Sequence, residues 1–211
     1  MSGFTGTIFE ELYSCGLAAT TTTPAAAATS VIGGYPAPKI PAGYFAKLGE
    51  QTSSVKVILR GQLTTTATIP TWQFGLAWTQ ALPAAFSATN VLAATAVRTP
   101  GTAAAGAWFF WEADIALRTQ GLAAASAVVT AGTVMCESLR PAAYSATQSD
   151  EWSMPATGTA GVSGATIDID QPLFIWPYLT LGAATAGNTM SVQLMKMYGE
   201  NLSVRIKTRE N

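Results

Sequence analysis

Asp168 and Asp170 stand two residues apart in the run Thr166-Ile167-Asp168-Ile169-Asp170, so on an extended chain both carboxylates project from one face. Such a pair could seat a calcium ion or flank a glycosidic bond. The neighbouring sequence lacks the further oxygen ligands of a calcium loop, and glycosidase carboxylates normally come from separate strands. A solvated outer face, or a turn-forming aspartate, is the better reading. Glu112 and Asp114 repeat the spacing beside Trp108 and Phe110. Sugar rings could stack on the two aromatic side chains while the carboxylates accept hydroxyl hydrogen bonds. The competing reading, which the sequence favours, is a face between subunits that buries Trp108 and Phe110, because interface cores are enriched in such aromatics.

The remaining reactive side chains are isolated. Lys56 and Lys196 sit alone on strand-like patterns, and a solvated role fits them better than Schiff-base chemistry, which needs a desolvated amine. Cys15 and Cys136 are the only cysteines and have no CxxC spacing; two thiols packed as small apolar groups are expected. Gly33-Gly34 belongs to no GxGxxG or GxxxxGK[ST] pattern, so nucleotide binding has no motif behind it. The histidine count is zero. Ser-His-Asp and Cys-His triads, His-ligated zinc and imidazole acid/base catalysis all need an imidazole and are excluded. No catalytic residue, metal site or cofactor is therefore expected, and the chain reads as a non-enzyme.

Charge points the same way. Only 11% of the 211 residues are charged, against about 25% in ordinary globular proteins. Eleven Lys and Arg nearly balance twelve Asp and Glu, too few cations for a phosphate-neutralising face, so no nucleic-acid partner is expected. Met1 to Thr5 lack a basic region, and Glu10-Glu11 interrupts the place of an apolar one; a signal peptide is not expected. The apolar run Ala103 to Phe110 is broken by glycine and followed by Glu112 and Asp114. It falls short of the ~20 residues a spanning helix needs, so no membrane partner is expected either.

What elements would position these residues? Thr20 to Ser30 is almost pure Ala and Thr around Pro24, and Pro36, Pro38 and Pro41 follow within six residues. Threonine and proline disfavour a helix and small side chains bury little area, so residues 1–41 are expected to form an extended N-terminal arm laid over a neighbour. Ser54 to Thr64 alternates, with Val55, Val57 and Leu59 on one face. Thr68 to Thr79 puts Trp72, Phe74, Leu76 and Trp78 on one face and Thr71, Gln73, Gly75 and Ala77 on the other. In Trp108 to Arg118, Phe109, Trp111, Ala113, Ile115 and Leu117 oppose Trp108, Phe110, Glu112, Asp114 and Arg118. A two-residue period fits that run better than a helix.

Val128 to Ser138, Leu173 to Leu181 and Thr189 to Tyr198 complete the apolar runs. Pro177 marks its strand as an edge or a bulge, and Gly187-Asn188 is a hairpin signal. The expected fold is all-β: an antiparallel β-sandwich or jelly roll of about eight strands over residues 42–202, with a short basic tail at 203–211.

The closing strands carry a resemblance. Thr166 to Asp170, then Leu173 to Leu181, Ala186-Gly187-Asn188-Thr189 and a last strand ending in Glu200-Asn201-Leu202 resemble a family of tailed-bacteriophage virion proteins. Ile40-Pro41-Ala42-Gly43-Tyr44-Phe45 and Gly61-Gln62-Leu63-Thr64-Thr65 are similar to that family's approach to its first sheet. The likeness spans residues 40 to 202; the Ala/Thr arm and the basic tail lie outside it.

The resemblance implies a jelly-roll-like structural virion protein of the capsid decoration (cement or minor head) type, made in the host cytoplasm and carried on the capsid surface. Its partners would be the major capsid protein and copies of itself as a homotrimer. Trp108, Phe110, Glu112 and Asp114 would then be the oligomer- or glycan-facing residues. Phe9, Leu12, Tyr13 and Tyr35 would dock the arm on the shell. The alternative is a tail or baseplate protein contacting host-surface glycans.

Overall fold

The computed structural model describes residues 7–22, 27–45, 53–66, 68, 70–87, 89–100, 106–117, 126–136, 151–154, 162–183 and 185–202. Among them are β1 (Thr7–Thr22), β2 (Thr29–Ser30), β3 (Lys39–Ile40), β4 (Ser53–Thr64), β5 (Trp72–Thr79) and β6 (Val91–Ala94). They continue as β7 (Ala107–Leu117), β8 (Ser126–Cys136), β9 (Glu151–Met154), β10 (Val162–Ile167), β11 (Leu173–Leu181) and β12 (Thr189–Leu202). One sheet runs β1-β12-β4-β7-β8-β10, with β9 also paired to β8; the other runs β2-β11-β5-β6, with β3 also paired to β11. The fold is an all-β sandwich of antiparallel sheets. The expected strands are present, except that the one expected over Thr166 to Asp170 ends at Ile167. β1 is a long additional strand of 16 residues, and most of the other additional ones are pieces of two to four residues, too short to show alternation in sequence.

The two-residue period places the core. Val55, Val57 and Leu59 of β4, Phe109, Trp111, Ala113 and Ile115 of β7, and Met195 and Met197 of β12 are buried, facing Trp72, Phe74 and Leu76 of β5 and Leu179 and Leu181 of β11. Each large aliphatic side chain buried this way stabilises by about 1.5–3 kcal/mol. Phe74 joins the sheets, its ring centroid 5.6 Å from Trp111 and 5.2 Å from Trp152, both edge-on. This is the geometry that the aromatic quadrupole favours.

The expected polar face of β5 is covered instead. Gly75 and Ala77 are buried because Gly75 pairs with Tyr178 and Ala77 with Trp176 on β11, and the Tyr178 ring lies directly across Gly75. Phe86, from the loop after β5, packs on Tyr178 with centroids 6.1 Å apart. Trp78, expected in the core, is only half-buried.

Gly187-Asn188 does not close a hairpin. β11 and β12 belong to different sheets, so this turn is a crossing between them, beside the β4–β5 crossing. Gly187 takes φ +85°, a conformation that suits glycine. Asn188 is fully buried and ties the two crossings together: its Oδ1 accepts from the Thr66 N–H at 3.1 Å, and its Nδ2 donates to the Thr68 and Thr185 carbonyls at 3.2 and 3.3 Å.

Pro177 lies inside β11, which has β5 on one side and β2 and β3 on the other. The Ile175 N–H donates to Pro38 O and the Pro177 carbonyl accepts from Val31 N–H, so the missing proline N–H falls in the gap between the two short strands. The proline sits on the interrupted side of its strand, as its chemistry requires.

Within residues 1–41 the described chain is extended, and its strands pair within the molecule. β1 runs along β12 from Thr7↔Leu202 to Thr22↔Met190, while β2 and β3 pair with β11. The 203–211 tail lies outside the described residues.

Candidate functional site

The outer face of the larger sheet is built on β7. Trp108, Phe110, Glu112 and Asp114 alternate with the buried Phe109, Trp111 and Ala113 and so project away from the core. The strand pairing supplies their neighbours. Phe110 lies between Arg60 of β4 and Met135 of β8; Trp108 pairs with Gln62; Glu112 lies between Ile58 and Thr133; and Asp114 lies between Lys56 and Ala131. All four expected residues therefore share one face and form a single row.

That row changes character along its length. At one end Trp108 is 49% and Met135 52% exposed, with the Arg60 guanidinium carbon 5.3 Å from the centroid of the Phe110 ring, within cation–π range. Arg60, Trp108, Phe109, Phe110, Met135 and Cys136 line an open cleft of about 520 Å³ here. At the other end the groups are charged and paired. Lys56 Nζ lies 3.7 Å from Asp114 Oδ1, and Lys196 Nζ 3.9 Å from Glu11 Oε2. The Tyr198 phenol and then Glu11 hold the Lys196 ammonium above the ordinary lysine range, against the repulsion of Arg60. Exposed pairs of this kind stabilise little.

The other sequence candidates are dispersed. Asp168 and Asp170 follow the end of β10 and are not on a strand. Asp168 Oδ1 accepts from the Asp170 N–H at 2.9 Å, and the Asp168 backbone exchanges two hydrogen bonds with the Gln80 side chain. Theirs is a turn-forming role, an Asx-turn. No group of three or more His, Cys, Asp and Glu able to hold a metal occurs among the described residues. Cys15 and Cys136 form no disulfide and are half-buried and buried respectively.

Of the arm residues, Leu12, Tyr13 and Tyr35 pack partly buried against the core, and the Phe9 backbone pairs with Glu200. Leu12 falls at a bulge in β1, where the register with β12 shifts. The Tyr13 hydroxyl donates to Pro36 O at 3.3 Å. Burial pushes its phenol up to about 12, helped by the Cys15 thiol beside it. Arg60 and Met135 were not singled out by sequence reasoning. Arg60 had a signal, its place on the polar face of the alternating Ser54 to Thr64 run, but its closeness to Phe110 depends on cross-strand register.

No protein-family model and no curated protein matches the chain. Among solved structures, the CBM2 module of Lactobacillus casei BL23 phage J-1 evolved Dit is similar at 10% sequence identity, covering 94% of this chain and 99% of that chain with a TM-score of 0.38. A likeness of that degree carries no argument about what this chain does.

Proposed function

We propose that this chain is a structural component of a tailed-bacteriophage virion and works there as a binding module without catalytic chemistry, contacting host-surface glycans from the tail or baseplate through the Trp108 end of the β7 face. The observation that carries this reading is the concave aromatic cleft on the outside of a sheet whose inner face is already filled: Trp108 and Met135 half exposed around Phe110. Saccharides are bound by such surfaces because the C–H faces of the rings stack on aromatics while nearby polar groups take the hydroxyls. The virion assignment draws on the resemblance of residues 40 to 202.

A second reading is a capsid decoration protein, a homotrimer on the major capsid protein lattice. The exposed Leu82 and Val97 side chains, on the loops flanking β6, favour it, since a lattice protein needs more than one contact patch. Adsorption of the purified protein to host cells tests the leading reading: binding is expected, and Trp108→Ala is expected to abolish it. Hundreds of copies per particle, measured against the major capsid protein, would instead establish the decoration reading; a handful fits the tail.

A further inference from the structure

The outer face of the larger sheet carries three cations in its middle, Lys56 and Arg60 on β4 and Lys196 on β12, with carboxylates on either side. Lys56 is matched by Asp114 and Lys196 by Glu11. Arg60 has no carboxylate within ion-pair distance among the described residues; its guanidinium lies over the Phe110 ring. A guanidinium stacked on an aromatic face keeps its N–H edge available, and that edge matches the two oxygens of a carboxylate or phosphate. Arg60 lines the same cleft as Trp108, Phe110 and Met135. An anionic group held by Arg60 would therefore sit beside a ring stacked on Trp108.

We propose that the cleft binds an acidic saccharide, in which a sugar ring packs on Trp108 and Met135 while its carboxylate or phosphate substituent is held by Arg60. This rests on the glycan-binding reading and specifies its ligand. Glu112 lies one outward-facing position beyond Phe110 on β7 and can accept from ring hydroxyls, and Gln62, paired with Trp108, can donate or accept. The match in charge and shape is to one end of the face only; at the other end Lys56 is paired with Asp114, and among the described residues no free cation lies there.

Calorimetric titration of the full chain with oligogalacturonate, its methyl ester and a phosphorylated oligomannose tests the proposal. The ester retains the ring, linkage and length and removes the charge. Binding of the uronate about tenfold or more tighter than its ester is expected, since a charge-assisted hydrogen bond differs from a neutral one by about that factor. Arg60→Gln should bring the acid down to the ester, and Trp108→Ala should weaken both. The phosphorylated oligomer separates the sources of the anion: tighter binding than the uronate points to sugar phosphate, weaker binding to uronic acid. Equal affinity for acid and ester, an Arg60→Gln protein with an unchanged ratio, or binding of neither acidic oligomer at millimolar concentration would overturn the proposal. If host-cell adsorption is lost in Trp108→Ala but indifferent to Arg60→Gln, the acidic-ligand inference fails and the glycan reading stands. If adsorption ignores Trp108 as well, both fail.

Discussion

Both outer faces of the sandwich carry aromatic side chains, and the chain treats them differently. On the smaller sheet Trp176 and Tyr178 are 6% and 4% exposed, with Phe86 packed on Tyr178 and the edge of β11 occupied by β2 and β3. On the larger sheet Trp108 and Met135 remain half exposed and no described segment covers them. A chain that seals one aromatic face with its own loop and leaves the other open separates rings that stabilise from rings that are available to a partner. Adjacent exposed apolar groups are common marks of an interaction surface.

Removing a ring from the sealed side should have the largest effect. Tyr178→Ala empties a space between Gly75 and Phe86 and is expected to destabilise by about 3–5 kcal/mol, read as a shift in the urea midpoint. Gly75→Val is the converse: any Cβ there would fall inside the Tyr178 ring, and overpacking typically costs about 1–3 kcal/mol. Wild-type midpoints for both variants would mean that the smaller sheet is not sealed, and the contrast would disappear.

Asn188→Ala acts on the corner that holds both sheets in place. The Thr66 N–H loses its acceptor, while the Thr68 and Thr185 carbonyls lose the amide but keep the Thr66 hydroxyl and the residue-188 N–H, and the stranded donor should cost about 1–3 kcal/mol. Because the two crossings meet at this residue, the loss should lower the stability of the whole sandwich, so far-UV and aromatic circular dichroism signals should melt together. Separate transitions would show that the corner serves only one sheet.

How much of this was legible in sequence follows from the range of each interaction. The alternation of β4 and β7 sets which side chains face inward, because the period of two is local; hence Trp108, Phe110, Glu112 and Asp114 share one outer face. The seal over Gly75 was illegible, since it depends on Tyr178 lying opposite a residue about a hundred positions earlier. Gly187-Asn188 has hairpin chemistry whether its flanking strands pair or separate, so the turn was visible and the sheet crossing was not. The partner of Pro177 had a local cause and a nonlocal address: the missing N–H announced an edge, but only the pairing shows that the edge lies between β2 and β3. Arg60 illustrates the same limit at the cleft, where cross-strand register brings it to Phe110.

Trp108 and Trp111 sharpen the comparison within one strand. They lie on opposite faces of β7, one half exposed and the other fully buried against Phe74. Trp111→Ala should cost about 3–5 kcal/mol, whereas Trp108→Ala should cost less than about 1 kcal/mol while removing adsorption to host cells. If Trp108→Ala were as destabilising as Trp111→Ala, the open face would be part of the fold and not a binding surface.

The smallest effect is a dependence on alkali that only the sealed side and the inner face should show. Burial raises the Tyr178 phenol above 10.0 and pushes Tyr13 up to about 12. In the unfolded chain both ionise near 10, so between that pH and their folded values the unfolded state binds fewer protons. Stability is then intact below about pH 10 and falls as the pH rises toward 12. Tyr178→Phe keeps the ring and removes the ionisation. Its urea midpoint should decline less between pH 9 and 11 than that of the wild type, and Tyr13→Phe should reduce the decline further. An identical decline in all three proteins would mean that neither phenol is shielded in the folded state, and the seal over Tyr178 would be open to water after all.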